Sequence, residues 1–222
     1  TPLYSSAASD VYKRQTEGRL LPKGATVVTF DDGYADFARW AAPALRRHGV
    51  RSTVFICPGL MAERRGAADD RPRLHREIWQ DPKPEHFLSW EEVGDLYASG
   101  LVRFGSHTMT HPRRLDELSG EDLQNELAVS KCVIEKRLGI LCEHVAWPRG
   151  VFNDEAVQMA RVLGYKSAST TRRGANVPGG DPMLIRRFPA VGESAGGGNR
   201  LEMRRRLFIY GNATIARVWS AV

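Results

Sequence analysis

Cysteine is scarce in this chain of 222 residues: Cys57, Cys132 and Cys142 are the only three, and none forms a Cys-x-x-Cys pair. A disulfide framework and a thiolate zinc site are therefore both excluded, although one bridge stays open. No apolar run approaches the roughly eighteen residues that a membrane-spanning helix needs. Thr1 to Gln15 carry no secretory signal and differ in composition from the rest of the chain, so residues 1–18 are expected to be a disordered or non-native leader. A cell-envelope or extracytoplasmic location would require a signal lost upstream; otherwise the chain is cytoplasmic. Acidic excess is missing as well, with 32 Lys and Arg against 26 Asp and Glu, a net charge of +6. The surplus sits in Arg46-Arg47, Arg64-Arg65, Arg172-Arg173 and Arg204-Arg205-Arg206. Such patches attract anionic glycans, nucleic acid or membrane surfaces. No basic motif interleaved with aromatics accompanies them, which argues against nucleic acid. A hydrophobic share of 42% at this length supports one sizeable core.

What is present begins with Thr29-Phe30-Asp31-Asp32-Gly33-Tyr34 behind the apolar run Ala25 to Val28. A short β-branched run between Gly24 and Gly33 reads as a buried strand, with two carboxylates at its carboxyl end. Neighbouring residues at a strand end point to opposite sides, so one carboxylate can hold a metal while the other acts as a base. By itself Asp-Asp-Gly is also an ordinary turn. A second strand-like run, Leu101 to Phe104, leads into His107-Thr108-Met109-Thr110-His111. Histidines four apart can share one side of a turn and one metal. Asp32, His107 and His111 would give three ligands and leave a position for water, the composition of a catalytic zinc site. Nitrogen and oxygen ligands also admit Co²⁺, Ni²⁺, Mn²⁺ or Fe²⁺.

In chain order, a helix is expected from Ala35 to His48 with a kink or a second start at Pro43, then a buried strand from Ser52 to Cys57. Pro58 to Leu88 shows no period and reads as a long loop bordering a substrate groove, with His75 and His86 as exposed loop histidines. Ser89 with Glu92 forms a capping box for a helix ending at Gly100. Ser119 starts another, whose stripe Leu123, Leu127, Cys132, Ile134 and Leu138 reads as core. Cys142 to Trp147 is the fourth strand, Asn153 caps a helix, Tyr165 to Ser169 is the fifth strand and Leu184 to Phe188 the sixth. The recurring order of strand, helix, glycine and strand is that of parallel βαβ units, whose carboxyl ends gather chemistry. Residues 199–222 read as a basic amphipathic tail that packs on the domain or lies on a membrane surface.

Thr29 to Gly33, His107 to His111, and Ala146-Trp147-Pro148-Arg149-Gly150 resemble, in order, the first three motifs of the NodB-homology polysaccharide deacetylases, carbohydrate esterase family four. The resemblance covers residues 25–190. It implies an α/β fold, an irregular (β/α)7 barrel, and metal-dependent hydrolysis of N-acetyl groups from N-acetylhexosamine units of a glycan. It further implies Asp31 as the base, Asp32, His107 and His111 as ligands of a divalent metal such as Zn²⁺, and the Arg149 backbone N–H as oxyanion donor. Tyr34, Trp147 and Pro148 would line the substrate. Two departures stand out. Ala146 and Arg149 replace the leading Arg and the Tyr of the third motif, and no histidine follows His144 to match the late Leu-x-x-His that supplies the general acid. An O-acetyl esterase and a glycan-binding pseudoenzyme therefore stand beside the deacetylase.

Overall fold

The computed structural model describes residues 27–66, 74–174, 176–177 and 179–187. The expected leader and basic tail lie outside the described residues. Five parallel strands form one sheet in the order β1-β2-β3-β4-β5. They are Val28–Phe30 (β1), Ser52–Ile56 (β2), Val102–Ser106 (β3), His144–Ala146 (β4) and Ser167–Ser169 (β5). Every strand pairs with its sequence neighbour in parallel, so each connection is a crossover returning the chain to the same edge. This is the curled parallel α/β architecture expected, with five strands among the described residues where the barrel reading gave about seven. The sixth strand expected at Leu184 is reduced to one parallel bridge between Ser169 and Ile185.

Local chemistry accounts for the helices. The first, α1, opens with a π-helical turn, Phe37–Ala41, and becomes α-helical over Ala42–Arg47, where Pro43 falls in the first turn that tolerates its missing N–H. Between β2 and β3 the described residues include two α-helices, His75–Gln80 (α2) and Trp90–Ala98 (α3). At the start of α3, Ser89 Oγ accepts from Glu92 N (3.3 Å) while the Glu92 carboxylate accepts from Ser89 N (2.9 Å). The helix α4 runs through Gly120–Gln124, a π turn at Asn125–Val129, and Ser130–Leu138. Asn153 Oδ1 accepts from Ala156 N (2.8 Å) to open α5, Asp154–Val162. None of the helices among the described residues is long and apolar enough to cross a membrane.

The core lies between the sheet and the helices, with Val54, Ile56, Val145, Leu123, Leu127 and Ile134 all inaccessible to solvent. Cys132 departs from its expected place. It is exposed, and the inward position on α4 belongs to Ser130, whose hydroxyl bonds Ser106 at 2.7 Å. The segment from Pro58 to Leu88 also corrects the sequence reading. It contains α2, it ends in the fully buried Phe87 and Leu88, and Leu88 N donates to Gly33 O (2.8 Å). Short pieces crossing the end of a sheet bury side chains without any period, which is why the pattern read as loop. His86 is buried there at 8% exposure, its Nδ1 accepting from Lys83 N, whereas His75 is exposed as expected.

Candidate metal centre

All three sequence motifs leave carboxyl ends of strands in the same sheet, those of β1, β3 and β4, and the fold draws them together. At the β1 exit the chain turns through Asp32 and Gly33, both at φ 67°. A Cβ on Gly33 would stand 2.8 Å from Ile56 Cγ2, so glycine is required by both φ and space. After β3, His107 N donates to Ile56 O (2.8 Å), and the loop passes through left-handed Thr108 (φ 65°) and His111 (φ 59°). Thr108 Oγ1 accepts from His111 N at 3.2 Å, closing that turn.

The result is a buried cluster. Asp32, His107 and His111 are 8%, 2% and 6% exposed, and Asp32 Oδ1 lies 3.3 Å from Nε2 of each histidine. One potential ligand atom from each of the three falls within 4.8 Å of the others. Asp32 Oδ1 is shielded from water yet has no hydrogen-bond partner of good geometry. A buried carboxylate oxygen left bare is costly unless a cation completes it. Ligands about 2.1 Å from a tetrahedral zinc stand roughly 3.4 Å apart, close to the separation seen. His107 Nδ1 lies 2.8 Å from Ala146 O, which can only accept, so Nδ1 carries a proton and Nε2, toward Asp32, is the atom left to ligate a metal. The residues present therefore fit a divalent cation.

Charge balance points the same way. Without a cation, burial pushes the Asp32 carboxyl upward, but the positive form of His107 at 3.3 Å and the charge of His111 outweigh it and hold it below the usual range. His111 is pushed down to about 4, by burial first and then by the neighbouring His107 charge, with Arg149 adding to it. It is thus neutral near pH 7, the form that ligates a metal.

Beside the cluster stands Asp31, whose carboxylate receives both arms of Arg187 at 2.6 and 2.7 Å. Burial raises the Asp31 carboxyl and Arg187 more than reverses this, leaving it below the ordinary range. Its side chain remains 30% exposed, so it can meet a water. Arg187 is fixed in turn by Thr170 O and Thr29 Oγ1, each at 3.1 Å. Tyr34 places its hydroxyl between the Trp79 indole, which donates to it at 2.6 Å, and His75 Nδ1, 2.7 Å away. Trp79 stacks on His111 with ring centroids 4.1 Å apart. Arg149 is exposed in a left-handed turn at φ 56°, and Gly150 follows at φ 70°, where a Cβ would collide with Thr171 Oγ1 at 2.0 Å.

Of the residues expected at the site, the fold gathers Asp31, Asp32, His107, His111 and Tyr34 and brings Arg149 near. Trp147 and Pro148 are buried instead. Trp147 is a core side chain that stacks on Phe152 and donates to Met183 O, with no surface to offer a glycan. An indole following a strand end reads equally as core or platform, and only packing separates the two. Arg187 and Trp79 escaped the sequence reading altogether, since neither sits in a motif or at a telling distance from one.

The family profile for polysaccharide deacetylase matches residues 19–168. Among curated relatives, YxkH of Bacillus subtilis (strain 168), named for polysaccharide deacetylation, is 26% identical over 160 residues, covering 72% of this chain and 49% of the relative. The poly-β-1,6-N-acetyl-D-glucosamine N-deacetylase of Escherichia coli (strain K12) is 33% identical over 93 residues, 41% of this chain and 13% of that protein. The chain thus spans about half the length of the first relative and a small part of the second. Among solved structures, IcaB from Ammonifex degensii superposes with a TM-score of 0.70 at 22% identity, covering 85% of this chain and 77% of that one. At that identity the superposition speaks for the fold alone.

Proposed function

The chain belongs to the polysaccharide deacetylase family, and from that premise we propose that it hydrolyses the N-acetyl groups of N-acetylhexosamine units in a glycan and releases acetate. The observation that carries this reading is the bare Asp32 Oδ1 facing two imidazole nitrogens beside a second, Arg-paired carboxylate. Asp32, His107 and His111 would hold a divalent metal, Zn²⁺ by donor type and spacing. When bound, that ion supplies Lewis-acid polarisation of the acetyl carbonyl and a more acidic water.

The chain's own residues do the rest. Asp31 takes the proton of the attacking water. Arg187 occupies one acceptor site on each carboxylate oxygen, keeps Asp31 anionic and leaves its other lone pairs for that proton. The Arg149 backbone N–H donates to the oxyanion of the tetrahedral intermediate, and its exposed left-handed turn keeps the side chain out of the core. Asp31 then returns the proton to the departing amine. Tyr34 and Trp79 form the aromatic wall against which the acetylated sugar lies. The curated relative from Escherichia coli suggests β-1,6-linked poly-N-acetylglucosamine as the first glycan to try.

An O-acetyl ester needs less help for its leaving group than an amide does, and that is the second reading. Acetate release from N-acetylated β-1,6-glucosamine oligomers and from O-acetylated glycans, before and after chelation and metal restoration, separates the two. Metal-dependent release from the amide substrates is the expected result. Release from esters alone replaces the deacetylase with an esterase, and no release from either leaves a glycan-binding protein.

A further inference from the structure

The histidine loop has a holder that lies outside every motif. Between His107 and His111 the backbone turns left-handed twice, at Thr108 and at His111 itself, conformations that non-glycine residues adopt only when their surroundings impose them. The intervening N–H groups of Met109 and Thr110 both donate to Glu126 Oε2, at 2.8 and 2.9 Å, and the Thr110 hydroxyl donates to Glu126 Oε1. One carboxylate thus takes three donors from two consecutive residues at the middle of the loop. On the other side, Gly59 N donates to Met109 O at 2.9 Å, and a Cβ at position 59 would stand only 2.8 Å from that oxygen. The loop is gripped from both sides.

Glu126 comes from the π turn of α4. In that turn Leu127 O accepts from both Ser130 N and the buried Tyr165 hydroxyl (2.9 Å), which anchors the helix beside the loop. Such turns are local distortions that recur at functional sites. Glu126 is not one of the three clustered ligand residues, and its separation from His111 in sequence gives no hint of the contact.

We infer that Glu126 is the positioning residue for the metal centre: its carboxylate clamps the loop of Met109 and Thr110 so that His107 and His111 present Nε2 to the same point. The inference rests on the metal reading above and adds to it a residue that touches neither metal nor substrate. Groups that orient metal ligands typically change affinity by about 10–100-fold when removed.

The test uses the full chain, stripped of metal and titrated with Zn²⁺ against a chromophoric chelator, with Co²⁺ as a spectroscopic probe. Glu126→Ala is expected to weaken Zn²⁺ binding by at least about tenfold and to alter the Co²⁺ visible bands. Glu126→Gln keeps an acceptor for both N–H groups and should restore affinity to within about fivefold of the parent. Affinity of Glu126→Ala within about twofold of the parent, or equal loss of melting temperature in the stripped and loaded forms without change in affinity, overturns the inference. If Glu126→Ala does not fold, Thr110→Val removes a single bond of the clamp. It should then weaken Zn²⁺ by about threefold, and an unchanged affinity is equally fatal. A parent chain that binds Zn²⁺ no better than His111→Ala would sink the metal reading and this inference together, whereas a tight-binding parent with an indifferent Glu126→Ala refutes only the role of Glu126.

Discussion

The two ends of the sheet handle left-handed backbone in opposite ways. At the amino ends of β2, β3, β4 and β5 the preceding segment ends with glycine at positive φ, at Gly49, Gly100, Gly139 and Gly164, and a Cβ added at any of them would meet nothing within 4 Å. At the carboxyl ends, beside Gly33 and Gly150, the same region of backbone space is also occupied by Asp32, Thr108, His111 and Arg149, the positive-φ non-glycine residues of the described structure. A side chain in that conformation costs on the order of 1–2 kcal/mol. Glycine would relieve the strain but carries no ligand and no hydroxyl. The end that only reverses the chain is built without strain, and the end that presents chemistry accepts it.

Histidines make the same contrast. His107 and His111 lie against carboxylates at the carboxyl end. His144, at the first position of β4, pairs its Nδ1 with Ser167 Oγ at 2.8 Å, and burial, with smaller effects from Lys166 and Lys131, pushes it down to about 4. It serves the fold and not the site.

If this division is real, the largest effect should come from Asp31→Asn. That change keeps the shape and removes the base, so acetate release should fall at least about a hundredfold while bound metal, measured by elemental analysis, stays at parental level. Near-normal turnover would remove Asp31 from the chemistry. Arg187→Met comes next. Without the guanidinium, burial acts on Asp31 against only the weaker effect of the His107 charge, and its carboxyl titrates higher, so the acidic limb of the pH–rate profile should move to higher pH, with rate loss greatest on the acid side. An unmoved limb would show that Arg187 does not set the charge of Asp31.

On the opposite face the effects should be confined to stability. His144 binds a proton in the unfolded chain near pH 6.5 but in the folded chain only near 4. Between those values the unfolded state holds more protons, so stability rises with pH through the window and is lost on acidification. The difference between pH 7 and pH 5 should be on the order of 2 kcal/mol for this group in urea titrations of the metal-free protein. His144→Gln should remove that share of the slope and leave the share of His111, without altering metal affinity. Smallest is Gly49→Ala, expected to cost about 1 kcal/mol through φ alone, with turnover and metal content unchanged. A loss of metal from either of these two variants would erase the distinction between the faces.

Much of this was legible in the residues because much of it is local. Ser89, Ser119 and Asn153 cap the helices they were expected to cap, since a cap needs only a side chain three residues from an N–H. The π-to-α change in α1 falls between Ala41 and Ala42, one residue before Pro43, where a kink or a second start was expected. The meeting of Asp32, His107 and His111 was legible because a β-branched run followed by a polar turn marks a strand exit, and exits of parallel strands meet on one face. What failed were readings that depended on which way a side chain turns. Trp147 followed a strand into the core, Cys132 fell on the outer side of its helix, and the described part of Pro58 to Leu88 lacked a period because its helical pieces are too short to have one.

The sequence by itself determined the succession of parallel units, the ends of the helices and the identity of Asp31, Asp32, His107 and His111, all properties of neighbours along the chain. Only the tertiary structure decided what surrounds them. Arg187 reaches Asp31 across 156 positions, Trp79 reaches Tyr34 across 45, and Glu126 reaches Thr110 from a turn in another element. Contacts of that range leave no spacing to read, because the strand order brings their ends together and the chain between them has no fixed length.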